Sequence, residues 1–103
     1  MSLTQKTYYV YMMANRRNGT IYVGVTSNLG QRAYEHKTHA FGDAFTARYN
    51  CDKLVYVERF TDINAAIHRE KRLKEWPRNW KKDLIEKYNP NWDDLFEDIY
   101  NYV

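Results

Sequence analysis

Thr7-Tyr8-Tyr9-Val10-Tyr11-Met12-Met13 and Gly19-Thr20-Ile21-Tyr22-Val23-Gly24-Val25 are the two stretches that decide the fold. Both are rich in β-branched and aromatic residues, and the Asn18-Gly19 dipeptide between them is a hairpin signal. Alternation assigns the faces. Tyr8, Val10 and Met12 share one side of the first strand, and Ile21, Val23 and Val25 share one side of the second, which makes a core face. The opposite side carries Tyr9, Tyr11, Tyr22 and Gly24. A two-residue loop at Asn18-Gly19 sets Tyr11 across from Thr26, whereas a loop centred on Arg16-Arg17 sets it across from Tyr22. Either register puts both tyrosines on the same face, and only a bulge would separate them.

Outward from the hairpin the pattern turns helical. Asn28 followed by Gln31 reads as a capping box opening a helix from Leu29 to about Lys37, with Arg32 and His36 four apart on one face. Residues 39–50 read as a loop and Lys53 to Phe60 as a third strand. Thr61 or Asp62 caps a second helix running to about Glu75, which Pro77 interrupts. Trp80, Leu84, Ile85 and Tyr88 follow helical spacing until Asn89-Pro90. A last short helix is expected to carry Leu95, Phe96 and Ile99. The order is β-β-α-β-α-α with a terminal helix: a small α/β (α+β) domain in which helices cover a three-stranded sheet with an N-terminal hairpin.

The chain's 103 residues suit one domain, with residues 1–6 as an extension or expression scar and 91–103 as an acidic terminal helix or tail. Aromatic content is high, with ten Tyr, three Trp and four Phe, and core packing is the expected role of the tryptophans. The single Cys51 excludes an internal disulfide and a multi-cysteine zinc site, and fits a reducing cytoplasm. His36 and His39 have a spacing usable for zinc but lack a third ligand. No apolar run is long enough for a membrane span, and no secretion signal opens the chain. All 16 bases and nine of the 13 acids fall within residues 1–90, a net +7, while residues 91–103 carry −4. A basic body of this kind suits a polyanionic partner.

Glu70 breaks the pattern. On the second helix the apolar stripe is Ile63, Ala66, Ile67 and Leu73, and Glu70 falls in the middle of it. A carboxylate there must be neutralised, paired, metal-bound or partly exposed. Around it lie Arg69, Lys71, Arg72, Lys74, Arg78, Lys81 and Lys82, with Trp76 and Trp80 interleaved. This run reads either as a surface following a phosphate backbone, with rings for stacking, or as a solvated helix face.

Taken together, Tyr9-Val10-Tyr11, Tyr22-Val23-Gly24, Arg32, His36, Glu70 within His68-Arg69-Glu70-Lys71-Arg72-Leu73-Lys74, and Asn89 within Asn89-Pro90-Asn91-Trp92 resemble the GIY-YIG nuclease superfamily. The likeness runs from about Thr7 to Leu95 and is greatest to its small standalone bacterial members. Two positions depart from the pattern: Tyr9 stands where the first triplet has glycine, adding a side chain beside the expected cleft, and Val23 stands for isoleucine. The resemblance implies a metal-dependent endonuclease acting on nucleic acid, DNA in preference to RNA, with catalytic residues Tyr11, Tyr22, Arg32, His36, Glu70 and Asn89. Glu70 would hold one Mg²⁺ or Mn²⁺ ion, a role that also accounts for its place on an apolar stripe. Arg32 would hold the scissile phosphate.

Tyr11 is the candidate general base, Tyr22 the group positioning water or phosphate, and His36 the proton acceptor or relay; the two tyrosine roles are exchangeable. Asn89 would orient the site or the helix ends around it. The basic run Arg69, Lys71, Arg72, Lys74, Arg78, Lys81 and Lys82 would bind nucleic acid, and a homodimer would bring two sites to one duplex. Two other readings use the same residues. One is a catalytically silent nucleic-acid-binding module, and the other is a scaffold whose basic body meets an acidic protein. Tyr11 and Tyr22 also admit a plainer reading, as a cross-strand aromatic pair that only stiffens the hairpin.

Overall fold

The hairpin closes through a loop shaped by a side chain. Strands β1 (Tyr8–Ala14) and β2 (Ile21–Thr26) pair antiparallel, and their last partners are Ala14 and Ile21. The Asn15 side-chain oxygen accepts from the Thr20 amide at 2.9 Å, and the Gly19 amide donates to the Arg16 carbonyl at 2.9 Å. Asn18 takes the left-handed conformation, with φ 60. A Cβ on Gly19 would overlap the Asn15 oxygen, so glycine is required there. The two-residue turn expected at Asn18-Gly19 therefore does not form, and the register lies midway between the two considered. Tyr11 faces Gly24, and Tyr22 faces Met13. Parity survives this correction, and both tyrosines point to the same side of the sheet.

This computed structural model describes residues 6–38 and 49–101. Most of the loop expected over residues 39–50, and His39 with it, lies outside the described residues. Strand β3 (Lys53–Phe60) pairs antiparallel with β1 on its other side, giving the sheet order β2-β1-β3. The ladder is interrupted once: Met12 pairs with Tyr56 and Met13 with Leu54, so Val55 is an extra, bulged residue.

Helices cover both faces. Helix α1 (Leu29–Thr38) starts at Asn28, whose side-chain oxygen accepts from the Gln31 amide at 3.2 Å. Helix α2 (Ile63–Glu75) starts at Asp62, which accepts from the amides of Asn64 and Ala65. Helix α3 (Arg78–Tyr88) follows Pro77 and ends at Asn89. The terminal helix over Leu95–Asn101 is 3₁₀ rather than α. On one side of the sheet Ala66, Leu73, Ile85 and Trp92 pack against Val10, Met12 and Val23. On the other, Leu29, Ala33 and Ile99 pack against Tyr9, Tyr11 and Met13.

Burial revises two expectations about aromatic residues. Trp92 is buried and Trp76 half-buried, but Trp80 is 57% exposed. Helix α3 sinks only Ile85 fully, so its Trp80 and Tyr88 positions stay in water although they share the helical spacing. Tyr9 is buried against the terminal 3₁₀ helix and walls a cleft of about 520 Å³ with Leu29, Phe96 and Ile99. None of the expected catalytic residues lines that cleft.

Candidate active site

Three aromatic rings meet on the face shared by β1, β2 and α1. The Tyr11 hydroxyl lies 2.9 Å from His36 Nε2, and the contact is buried. Ring centroids are 6.3 Å apart for Tyr11 and Tyr22, 5.7 Å for Tyr11 and His36, and 5.0 Å for Tyr22 and His36. Tyr11 is 1% exposed and His36 4%, whereas Tyr22 is only half-buried. The register produces this triangle: Tyr22 sits diagonally from Tyr11, and Gly24, directly across from Tyr11, leaves room for its ring.

Arg32 precedes His36 by one helical turn on α1. Its Nε lies 3.7 Å from the Glu35 carboxylate, and its side chain is 43% exposed. The Glu35 carboxylate also accepts from the Gln31 side-chain amide at 3.0 Å. Thr26, Ser27, Asn28, Gln31, Arg32 and Glu35 line a small recess of about 220 Å³. Sequence reading missed Glu35 as the partner of Arg32, although its spacing of three on a helix is a legible signal.

Glu70 and Asn89 are placed differently. Glu70 lies between the buried Ala66 and Leu73 on α2, with its side chain 13% exposed and Oε2 2.7 Å from the Lys74 ammonium. Helix α2 packs against both β1 and β2 from the face opposite the ring triangle. Thus β2, an edge strand, has His36 of α1 against its Tyr22 on one side and the Glu70 helix on the other. Asn89 is 6% exposed and serves the chain path: its amide donates to the carbonyls of Val55 and Asp93 at 3.1 and 2.9 Å, and its oxygen accepts from the Asp93 amide at 3.0 Å. Val55 is the bulged residue, so Asn89 supplies its carbonyl with a partner and ties the end of α3 to β3.

The basic run divides in the same way. Arg69 is turned inward, making two bonds of 2.8 and 3.2 Å to Glu58, with its guanidinium 5.1 Å from the Trp76 ring centre. Glu58 also accepts from the Tyr56 hydroxyl at 2.6 Å. Burial, and then this neighbouring carboxylate, push the Tyr56 hydroxyl well above the ordinary tyrosine range. Lys71, Arg72, Lys74 and Arg78 are exposed, and Lys81 and Lys82 are half-buried. Burial, and then the Arg78 charge, lower the Lys81 ammonium from its ordinary value. Among the described residues no three His, Cys, Asp or Glu side chains cluster to hold a metal. Among the same residues no helix is long and apolar enough to cross a membrane.

Comparisons with known proteins bear on this arrangement. The family described as the GIY-YIG catalytic domain matches residues 7–89. A UPF0213 protein of Syntrophus aciditrophicus is 33% identical over 82 residues, covering 80% of this chain and 92% of that one. A UPF0213 protein of Oceanobacillus iheyensis is 34% identical over 79 residues, covering 77% and 90%. The solution NMR structure of UPF0213 protein BH0048 from Bacillus halodurans shares the fold, with a TM-score of 0.51, 22% identity, and coverage of 85% of this chain and 92% of that one.

Proposed function

The chain belongs to the GIY-YIG family, a nuclease superfamily, and from that premise we propose that it is a metal-dependent endonuclease cutting DNA strands at the edge of β2. The observation that carries the reading is the ring triangle, with the Tyr11 hydroxyl on His36 and Arg32 one turn away on the same helix. Hydrolysis of a phosphodiester needs an activated water, neutralised charge at phosphorus and a stabilised leaving oxygen.

Relative burial favours exchanging the two tyrosine roles. Tyr11, 1% exposed, holds His36 in place, while half-buried Tyr22 is the one open to substrate and water. Tyr22 therefore acts as general base. A phenol ordinarily ionises near pH ~10, so this role depends on positive charge brought close to it. Arg32 grips the scissile phosphate with a planar set of donors. Asn89 keeps its framework role at the end of α3, and Lys71, Arg72, Lys74, Arg78, Lys81 and Lys82 attract the backbone.

Glu70 fits a divalent ion of the magnesium type, which commonly takes one or two carboxylates and completes its shell with water and phosphate oxygens. Its present partner is the Lys74 ammonium, whose side chain is 52% exposed and free to move off. When bound, Mg²⁺ or Mn²⁺ would supply Lewis-acid stabilisation of charge on the phosphoryl group.

The test is cleavage of labelled DNA and RNA (single strands, flaps, junctions, nicked duplex) with Mg²⁺, Mn²⁺ or EDTA. Wild type should cut only with metal, and Glu70→Ala should bind but not cut. Arg32→Ala should cut slower by a factor of about 10²–10³, the range for losing one transition-state donor. If both variants cut as well as wild type, the proposed site is wrong. Salt-sensitive binding with no cutting by wild type would move the reading to a silent binding module.

A further inference from the structure

The hairpin loop and the first turn of α3 meet at one pole of the molecule. Arg78 Nη2 donates to the Asn18 carbonyl at 2.7 Å, fixing loop to helix. Arg16 and Arg17 stand exposed in that loop, and Lys81 and Lys82 follow Arg78 on the helix. None of these five cations makes an ion pair among the described residues. The nearest acids along α2 and α3, Glu75 and Asp83, are exposed and make none either. Helix α3 begins at Pro77 without a side-chain cap, so its first-turn amides add positive potential on the same side. The charges crowd one another: the lowered Lys81 value has the Arg78 charge as its second cause, after burial.

Uncompensated charge on a shaped loop is costly in the free protein and favourable against a polyanion. The loop is held in shape by Asn15 and Gly19, so its arginines are presented rather than trailing. The pole also adjoins the site, because Tyr22 is the second residue of β2 after the loop ends.

We propose that Arg16 and Arg17, with Arg78, Lys81 and Lys82, form a clamp for the phosphodiester backbone, holding the stretch of strand that neighbours the phosphate at Tyr22. The clamp takes its substrate class from the nuclease reading above. Two adjacent arginines suit phosphate oxygens through bidentate donation.

The experiment measures binding of a short fluorescein-labelled DNA duplex by anisotropy, in EDTA, across a NaCl series. It uses wild type, Arg16→Ala/Arg17→Ala, and the control Arg59→Ala/Lys87→Ala, with circular dichroism of each. The control removes equal charge at the far ends of β3 and α3. For two lost phosphate contacts, the slope of log K against log salt should shallow by about 1.8 in the loop variant, at about 0.9 per contact. The control should keep the wild-type slope. Equal slopes in all three proteins, or an equal change in both variants, overturns the clamp, as does a wild type that binds no duplex. Cleavage of the same duplex with Mn²⁺ separates the two ideas. Cutting with an unchanged loop-variant slope removes only the clamp, and a shallower slope without cutting removes only the nuclease reading.

Discussion

Tyr11 lies across Gly24, and a Cβ on that glycine would stand 2.5 Å from the Tyr11 hydroxyl oxygen and 2.6 Å from the ring carbon bearing it. The glycine of the second triplet therefore makes the space into which the tyrosine of the first is laid. Gly24→Ala should displace the ring from His36 and destabilise the fold by about 1–3 kcal/mol, the usual cost of overpacking. Urea unfolding measures this. Adding Tyr11→Phe, which removes the oxygen nearest the new methyl, should recover part of the loss in a double-mutant cycle. A wild-type midpoint for Gly24→Ala would mean that the Tyr11 ring can move aside freely.

The two tyrosines should separate under conservative substitution. Tyr22→Phe should lower the rate of cleavage by about 10²–10⁴, the range for losing a general base, with little change in unfolding. Tyr11→Phe should also destabilise, by about 1–3 kcal/mol, because the buried 2.9 Å contact to His36 is lost. If Tyr11→Phe leaves unfolding unchanged while Tyr22→Phe destabilises, the role assignment is reversed.

Asn89 should prove to be a framework residue. Asn89→Ala removes a donor to Val55 and Asp93 and an acceptor for the Asp93 amide. A loss of about 1–3 kcal/mol is expected from stranding buried backbone groups. Asn89→Asp should be no better, since it sets a carboxylate oxygen against two carbonyls. Any cleavage defect in either variant should track the fraction unfolded; a defect in fully folded protein would place Asn89 in the chemistry.

Alkaline pH should unfold the protein partly through Tyr56. In the fold this hydroxyl is held protonated by burial and by Glu58, above its unfolded value. The stabilisation is complete below the unfolded pKa of about 10 and declines as pH rises beyond it, because the unfolded chain then releases a proton that the fold retains. Chemical denaturation at pH 9 and pH 10.5 should show a smaller loss of stability in Tyr56→Phe than in wild type. Identical losses would assign the alkaline sensitivity to other groups.

Much of this was legible in the sequence, for physical reasons that also mark where reading stops. Alternation has a period of two, so it fixed the common face of Tyr11 and Tyr22 without the correct register. Register depended on the Asn15 side chain reaching Thr20, which no dipeptide signal encodes. Glu70 stood out because helical periodicity is strict, and it does lie between two buried residues. The exposure of Trp80 was not legible, because spacing names a stripe but not how far along it the core extends. Asn89 was marked by resemblance, yet its task was hidden, since Val55 lies 34 residues away and its bulge arises only on pairing with β1. Glu58, the partner that turns Arg69 inward, was likewise invisible 11 residues upstream.

Beyond Asn89 the chain returns to the sheet. Trp92 fills the core beneath α3, and its indole donates to Glu86 at 2.8 Å. Asp94 accepts from the Leu54 and Phe96 amides at 3.1 Å each and pairs with Lys37 at the end of α1. Ile99 closes the layer over Tyr9 and Met13. The family pattern stops at residue 89, but the physical unit does not. A protein trimmed to the pattern would keep each catalytic candidate and lose the fastening of the helix that carries Arg32 and His36. Here the recognisable motif ends before the residues that fasten its first helix and cover its sheet.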